Sequence, residues 1–157
     1  MLTGTILDIE MYDLAGYTVI HSTGAWALLA AIMIMGPRKG RHSNGGSVGS
    51  ISSVENANVV PVFDKFELDD PVGALSVHLV NGLWGTLAVG IFVSDISFIS
   101  QLKGVVLIGI FAFVSSYLVI YIINKIVKFR AEDDAQVEGM DVNECGVEAY
   151  PEFKRAI

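Results

Sequence analysis

Three stretches of this chain, Ala15–Met35, Pro71–Val93 and Gly104–Ile123, contain no Asp, Glu, Lys or Arg and are mostly apolar. Each is about the 20 residues that a helix needs to cross roughly 30 Å of hydrocarbon. A chain of 157 residues has too small an interior to hide three such runs as central helices of a soluble domain. Only 17% of its residues are charged, where soluble domains carry about a quarter. The fold class this implies is an all-α membrane protein with three transmembrane helices.

Charge placement orients the spans. Arg38, Lys39 and Arg41 follow the first run, and Lys125, Lys128 and Arg130 follow the third. By the positive-inside rule both of these ends are cytoplasmic. The expected organisation is an outer N-terminal segment (1–13), a first span (14–36), a cytoplasmic linker (37–70), a second span (71–93), an outer loop (94–103), a third span (104–127) and a cytoplasmic tail (128–157). Within the linker, residues 42–58 are Gly- and Ser-rich and read as loop, while 59–70 read as an ordered lead-in. Residues 131–157 hold eight acids against Lys154 and Arg155, so the tail supplies −6 of the formal −7. A solvated acidic segment of this kind speaks against nucleic acid as a partner. The single cysteine, Cys145, excludes an intrachain disulfide and a cysteine-rich metal cluster. The first fifteen residues hold three acids and no basic stretch, so no signal peptide is expected.

One motif occurs twice, each time at the mouth of a span. Asp13, Gly16 and His21 are spaced D-x-x-G-x-x-x-x-H, and Asp70, Gly73 and His78 repeat that spacing. A histidine inside a membrane span is costly and points to function. Each lies about two helical turns, or roughly 12 Å, beyond its aspartate. Because the first two spans have opposite directions, the shared motif makes them an inverted repeat, which brings equivalent residues to one point near the midplane. Gly24 and Gly82 share the histidine faces and are expected, with Gly16 and Gly73, to allow close helix packing. Asp70-Pro71 is a helix-start signal, and Asp13 stands in the same relation to the first span. Both aspartates therefore read equally as helix caps or as groups that recruit substrate.

These residues carry a family resemblance. DLAGYTVIHSTGAWALLAAIMIMGPRKGR resembles the fifth membrane helix of the ammonium transporters (Amt/Mep/Rh). DKFELDDPVGALSVHLVNGLWGTLAVGIF is similar to the tenth, and the third span with its tail resembles the eleventh and the C-terminal region. The resemblance implies trimeric proteins of eleven helices per subunit, of which the first four and the sixth to ninth have no counterpart here. It implies conduction of ammonium or ammonia past His21 and His78, whose rings would share a hydrogen bond. Asp13 matches an acidic residue at the outer entrance, with Asp70 as its symmetry partner. Gly139 and Asp141 fall in the tail region that couples subunits, and some microbial relatives bind a nitrogen-regulatory protein at the inner face. Location in the plasma (cell inner) membrane follows, with the N-terminus outside and the C-terminus cytoplasmic.

The chain departs from the family pattern at Tyr17, Leu79 and Asn81, each larger than the usual residue. Leu79 and Asn81 are expected to crowd the packing beside His78. Three helices do not enclose the pore that eleven build, because polar groups would face lipid. An alternative is a non-conducting fragment that associates with a full-length transporter trimer. A histidine pair on neighbouring helices also fits a bis-histidine haem electron carrier. No phosphate loop, no nucleophile–base pair and no catalytic carboxylate pair is evident, so no enzyme activity, cofactor or metal is expected.

Overall fold

Residues 2–4, 9–42 and 60–149 are described by a computed structural model of the chain. Residues 43–59 of the linker and the residues after 149 lie outside the described residues. Most of the rest is helical. Three helices are long and apolar enough to cross a membrane: Tyr17–Met35, Leu75–Phe92 and Phe98–Ile126.

The first begins as a π-helical turn, Tyr17–Ser22, and continues as α1, Thr23–Met35. A short helix α2, Val60–Lys65, precedes the second. That one repeats the pattern, a π-helical turn over Leu75–Val80 running into α3, Asn81–Phe92. The third, α4, is one uninterrupted helix of 29 residues. Two short helices, α5 (Asp133–Glu138) and α6 (Met140–Cys145), form the described part of the tail. A small antiparallel hairpin that the apolar pattern did not announce pairs β1, Leu2–Gly4, with β2, Ile9–Met11.

The third helix starts six residues before the expected Gly104, and the loop before it shrinks to residues 93–97. Ser97 caps it by accepting the N–H of Ser100 at 3.4 Å. Gln101 tolerates the helix because it is turned fully inward. Its amide accepts the N–H of Tyr12 (2.8 Å) and donates to the carbonyls of Tyr12 and Thr86 (2.9 Å each). One side chain thus fastens the entry to the first helix, the middle of α3 and the start of α4.

Contacts give the helix directions. Tyr17 lies against Gly85, Thr18 against Thr86, and Ser22 against Gly82, so the first two long helices run antiparallel. Met11 meets Gly104, while Trp26 meets Gly109 and Phe113, so α4 runs parallel to the first. Ala25, Ile32, Leu75 and Leu79 form the buried core between the antiparallel pair, flanked by Trp26, Leu28, Leu29, Phe63, Leu68 and Leu83. Large parts of the outer faces remain apolar and exposed, including Ile20, Trp84, Ile91, Phe111 and Ile126. A water-soluble protein could not afford this surface, whereas hydrocarbon makes it inexpensive.

At the Met35 end the segments are joined by charge. The backbone N–H of Arg38 and its Nε both donate to Asp69 Oδ2, at 2.9 and 2.7 Å, and Nη2 donates to Oδ1 at 2.8 Å. Arg41, buried, reaches Asp64 at 2.6 Å and Asp69 at 3.4 Å. The Arg38 guanidinium holds the Asp69 carboxyl below its ordinary range, against the opposing effect of burial, and Arg38 is raised in return. Arg130 then ties the end of α4 to the same region by donating to the Met35 carbonyl at 2.8 Å.

A candidate conduction site at a paired histidine

Each copy of the repeated motif folds in the same way. Gly16 and Gly73 both adopt a left-handed backbone, with φ of 73° and 70°, which side chains with a Cβ rarely enter. That turn throws the aspartate back over the helix it precedes. Asp13 accepts the N–H groups of Thr18 (3.3 Å) and Val19 (2.9 Å), one on each carboxylate oxygen. Asp70 accepts those of Ala74 (2.9 Å) and Leu75 (2.7 Å) likewise. Four otherwise orphaned donors are satisfied, and negative charge sits at two positive helix ends. Both aspartates are thus engaged as caps. Asp70 is buried and Asp13 half-buried.

Each capped end opens into a π-helical turn, and each turn carries its histidine. In the first, the N–H groups of Ile20 and His21 both bond to the Gly16 carbonyl, at 2.9 and 3.0 Å. Widened turns of this kind occur often at functional sites, since the extra residue re-aims the side chains. Here they aim His21 and His78 at each other. Their Nδ1 atoms are 3.1 Å apart, the planes are parallel within 3°, and the centroids lie 5.3 Å apart. The rings therefore meet edge to edge through their nitrogens, where one Nδ1 donates and the other accepts. With both rings neutral the tautomers must differ, leaving an acceptor Nε2 at one end of the pair and a donor Nε2 at the other. Both rings are exposed on one side of the three-helix unit.

The bis-histidine haem reading does not survive this geometry. Two nitrogens at hydrogen-bond distance leave no room between them for an iron and its macrocycle.

Behind the histidines the two helices touch backbone to backbone. A Cβ on Gly82 would lie 2.7 Å from the Tyr17 carbonyl oxygen and 2.7 Å from Ser22 Oγ. The Tyr17 ring is seated on Gly85, which accounts for its size at that place. Thr18 and Thr86 share a buried hydroxyl hydrogen bond of 2.6 Å. Gly24, by contrast, faces open space and makes no close approach. Gly16 and Gly73 supply left-handed backbone at the two turns. Nor do Leu79 and Asn81 crowd the pair. Leu79 points into the core, and Asn81 is exposed.

Thr18, Thr86 and Gln101 escaped the sequence reading. A threonine in mid-run was the available signal for Thr86, while Gln101 fell in the expected loop. In the tail, Gly139 separates α5 from α6 with a φ of 116°, and Asp141 accepts the Ala149 N–H at 2.8 Å. Neither is near the histidines in sequence or in its described contacts.

Three apolar helices, an antiparallel pair with matching caps, and a polar pair held between them define a membrane protein built on an inverted repeat. The Ammonium Transporter Family matches residues 2–47 and 44–150, and the chain belongs to that family. It is 31% identical to a putative ammonium transporter 3 of Caenorhabditis elegans, covering 64% of this chain and 18% of that protein. It is also 31% identical to ammonium transporter Amt1 of Haloferax mediterranei, over 66% of this chain and 22% of the relative. An ammonium transporter of Bacillus subtilis is 27% identical, over 55% and 25% respectively. The chain spans about a fifth of the length of the curated relatives it matches.

Proposed function

We propose that His21 and His78 form a conduction site for ammonium or ammonia. The observation that carries this reading is the 3.1 Å contact between their Nδ1 atoms within segments apolar enough to lie in a bilayer. Ammonium differs from an alkali ion in donating hydrogen bonds and in being able to lose a proton. Carrying a bare cation across hydrocarbon is prohibitive, whereas neutral ammonia crosses far more cheaply. A ring pair with an acceptor Nε2 at one end and a donor at the other can receive ammonia on one side and release it on the other. Asp13, at the mouth of the first helix, adds negative charge that would attract the cation, and Asp70 mirrors it.

The exposure of both rings means that further polypeptide must supply the remaining wall of a pore. Trimeric assembly, subunit coupling through Gly139 and Asp141, and docking of a nitrogen-regulatory protein are proposed on the family relation alone. The cationic end, with Arg38, Lys39, Arg41, Lys128 and Arg130, is assigned to the cytoplasm of a cell with the plasma membrane as host, and the Asp13 end to the outside. A second reading rests on the same exposed site: the chain associates with a family transporter and does not conduct alone.

Uptake of labelled methylammonium into proteoliposomes holding this chain tests both. Uptake above empty vesicles that falls at least about tenfold in His21→Ala and His78→Ala supports conduction at the pair. Uptake indifferent to both substitutions overturns it. If the inserted chain takes up nothing, the second reading is retained only if the chain co-purifies with a co-expressed transporter of the family.

A further inference from the structure

The facing nitrogens of the histidine pair are placed to hold an ion as well as to share a hydrogen bond. The 5.3 Å between ring centroids exceeds the 3.1 Å between Nδ1 atoms by about one ring radius at each end, and the planes agree within 3°. Both nitrogens therefore lie on the line joining the ring centres, and an Nδ1 lone pair on either ring points along that line at the other. No third histidine, cysteine or carboxylate completes a metal-binding group with them among the described residues. Such a donor set suits few metals. Zinc takes four ligands in a tetrahedron, and two nitrogens leave half of that shell open. Calcium and magnesium take oxygen. A monovalent d10 ion, copper(I) or silver(I), is satisfied by two neutral nitrogens in line. Its single charge also costs less to hold between apolar helices than a double one.

Little movement separates the hydrogen-bonded pair from a metal-bound one. Two metal–imidazole bonds of about 2 Å place the nitrogens about 4 Å apart. Each ring then yields about 0.5 Å, a displacement within one rotamer well. We infer that His21 and His78 bind one monovalent d10 cation between their Nδ1 atoms. Each Nδ1 donates its lone pair, and neither the ion nor a ring changes oxidation state. The ring that carried the shared proton loses it from Nδ1 and gains one at Nε2 through water at its exposed side, so no proton is taken up or released overall. Both rings then present a donor Nε2. On the conduction reading above, ammonia would find no acceptor at either end, and the ion would act as a plug. Binding itself does not rest on that reading.

The test uses silver(I), which keeps its oxidation state in air, added to the full chain in chloride-free micelles. The exposed Cys145 thiol would compete for it, so the measurements are made in Cys145→Ser. Calorimetry gives the affinity and the stoichiometry, and nuclear magnetic resonance of the histidine ring nitrogens gives the place. Expected is one tight site per chain, with the Nδ1 signals of His21 and His78 moving together as it fills. His21→Ala or His78→Ala should weaken that site at least about a hundredfold, because the second nitrogen no longer joins from an anchored position. Movement of one ring without the other overturns the assignment. So does tight binding that survives both substitutions, or displacement of silver by an equal amount of zinc. The ring signals are read with both histidines in place, so they decide the matter even if a substituted chain misfolds. They are also read without transport, so a chain that takes up no methylammonium leaves this result unaffected.

Discussion

The glycines of this chain divide by what lies opposite them, and the histidine pair depends on the division. A methyl group on Gly82 would collide with the Tyr17 carbonyl and Ser22 Oγ at 2.7 Å. Backbone cannot yield as a flexible side chain does, so Gly82→Ala must push α3 away from the first helix. Overpacking of this kind costs about 1–3 kcal/mol, and it should separate His21 from His78. Gly24→Ala meets open space and should be neutral or stabilising by up to about 1 kcal/mol through helix propensity alone. Unfolding of both variants in micelles checks the contrast. A loss in Gly24→Ala as large as that in Gly82→Ala would contradict the packing described here. From sequence the two were indistinguishable, since both share a helix face with a histidine. Only the seating of the partner helix separates them.

Among the elements, the π turns and their caps depend on what holds them from behind. Gln101 is the joint with the most partners there, bonding both backbone groups of Tyr12 and the Thr86 carbonyl. Gln101→Leu fits the space but strands these buried groups, at about 1–3 kcal/mol. Gln101→Glu keeps the acceptor for the Tyr12 N–H but loses the donor. We expect lowered thermal stability in both, with the larger change at the Asp13 end of the first helix. At the other end the Arg38–Asp69 clamp has a definite pH signature. Asp69 has its folded pKa depressed, chiefly by its hydrogen bond to Arg38. Its contribution is therefore fully present above the unfolded pKa, about 3.9, and is lost as pH falls through the still lower folded value. The protection of the Arg38 amide, which donates to Asp69, measured against its intrinsic exchange rate at each pH, should hold down to about pH 4 and fall below it. In Asp69→Asn that low-pH fall should vanish, and the amide should be less protected at neutral pH. An amide indifferent to both acid and the substitution would show that the clamp does not hold the turn.

For the whole molecule, the decisive fact is a polar pair on an outer face. His21, His78 and Asn81 are exposed on the same two helices as the exposed Ile20, Val77 and Trp84. A covering layer of protein and a covering layer of lipid differ in a measurable way. Trp84 is 58% exposed, whereas the indole nitrogen of Trp26 is buried. In dilute proteoliposomes, acyl-brominated phospholipid should quench a Trp26→Phe chain strongly and a Trp84→Phe chain weakly. As copies or a family partner cover the face, quenching of Trp84 should fall. Quenching that does not respond to protein density or to a co-reconstituted transporter would mean that this face remains in contact with lipid. The conduction proposed above would then lack a wall.

The amino-acid sequence alone determined the three membrane-length helices, because charge-free runs of about 20 residues leave a chain few other options. It marked the helix starts at Asp13 and Asp70, since a cap is local chemistry, while the left-handed turns at Gly16 and Gly73 came only with the structure. It also singled out the histidines, because the same spacing recurs and each sits where a polar side chain is costly. What only the tertiary structure decided was whatever depends on a partner distant in the chain. The early start of α4 rests on Gln101 finding Tyr12, 89 residues away. Thr18 finds Thr86 across 68 residues, and the two rings meet across 57. The π turns that aim those rings have no local sequence mark either. A widened turn is stable only when the neighbouring helix takes up the displaced side chains, and that neighbour is a matter of packing.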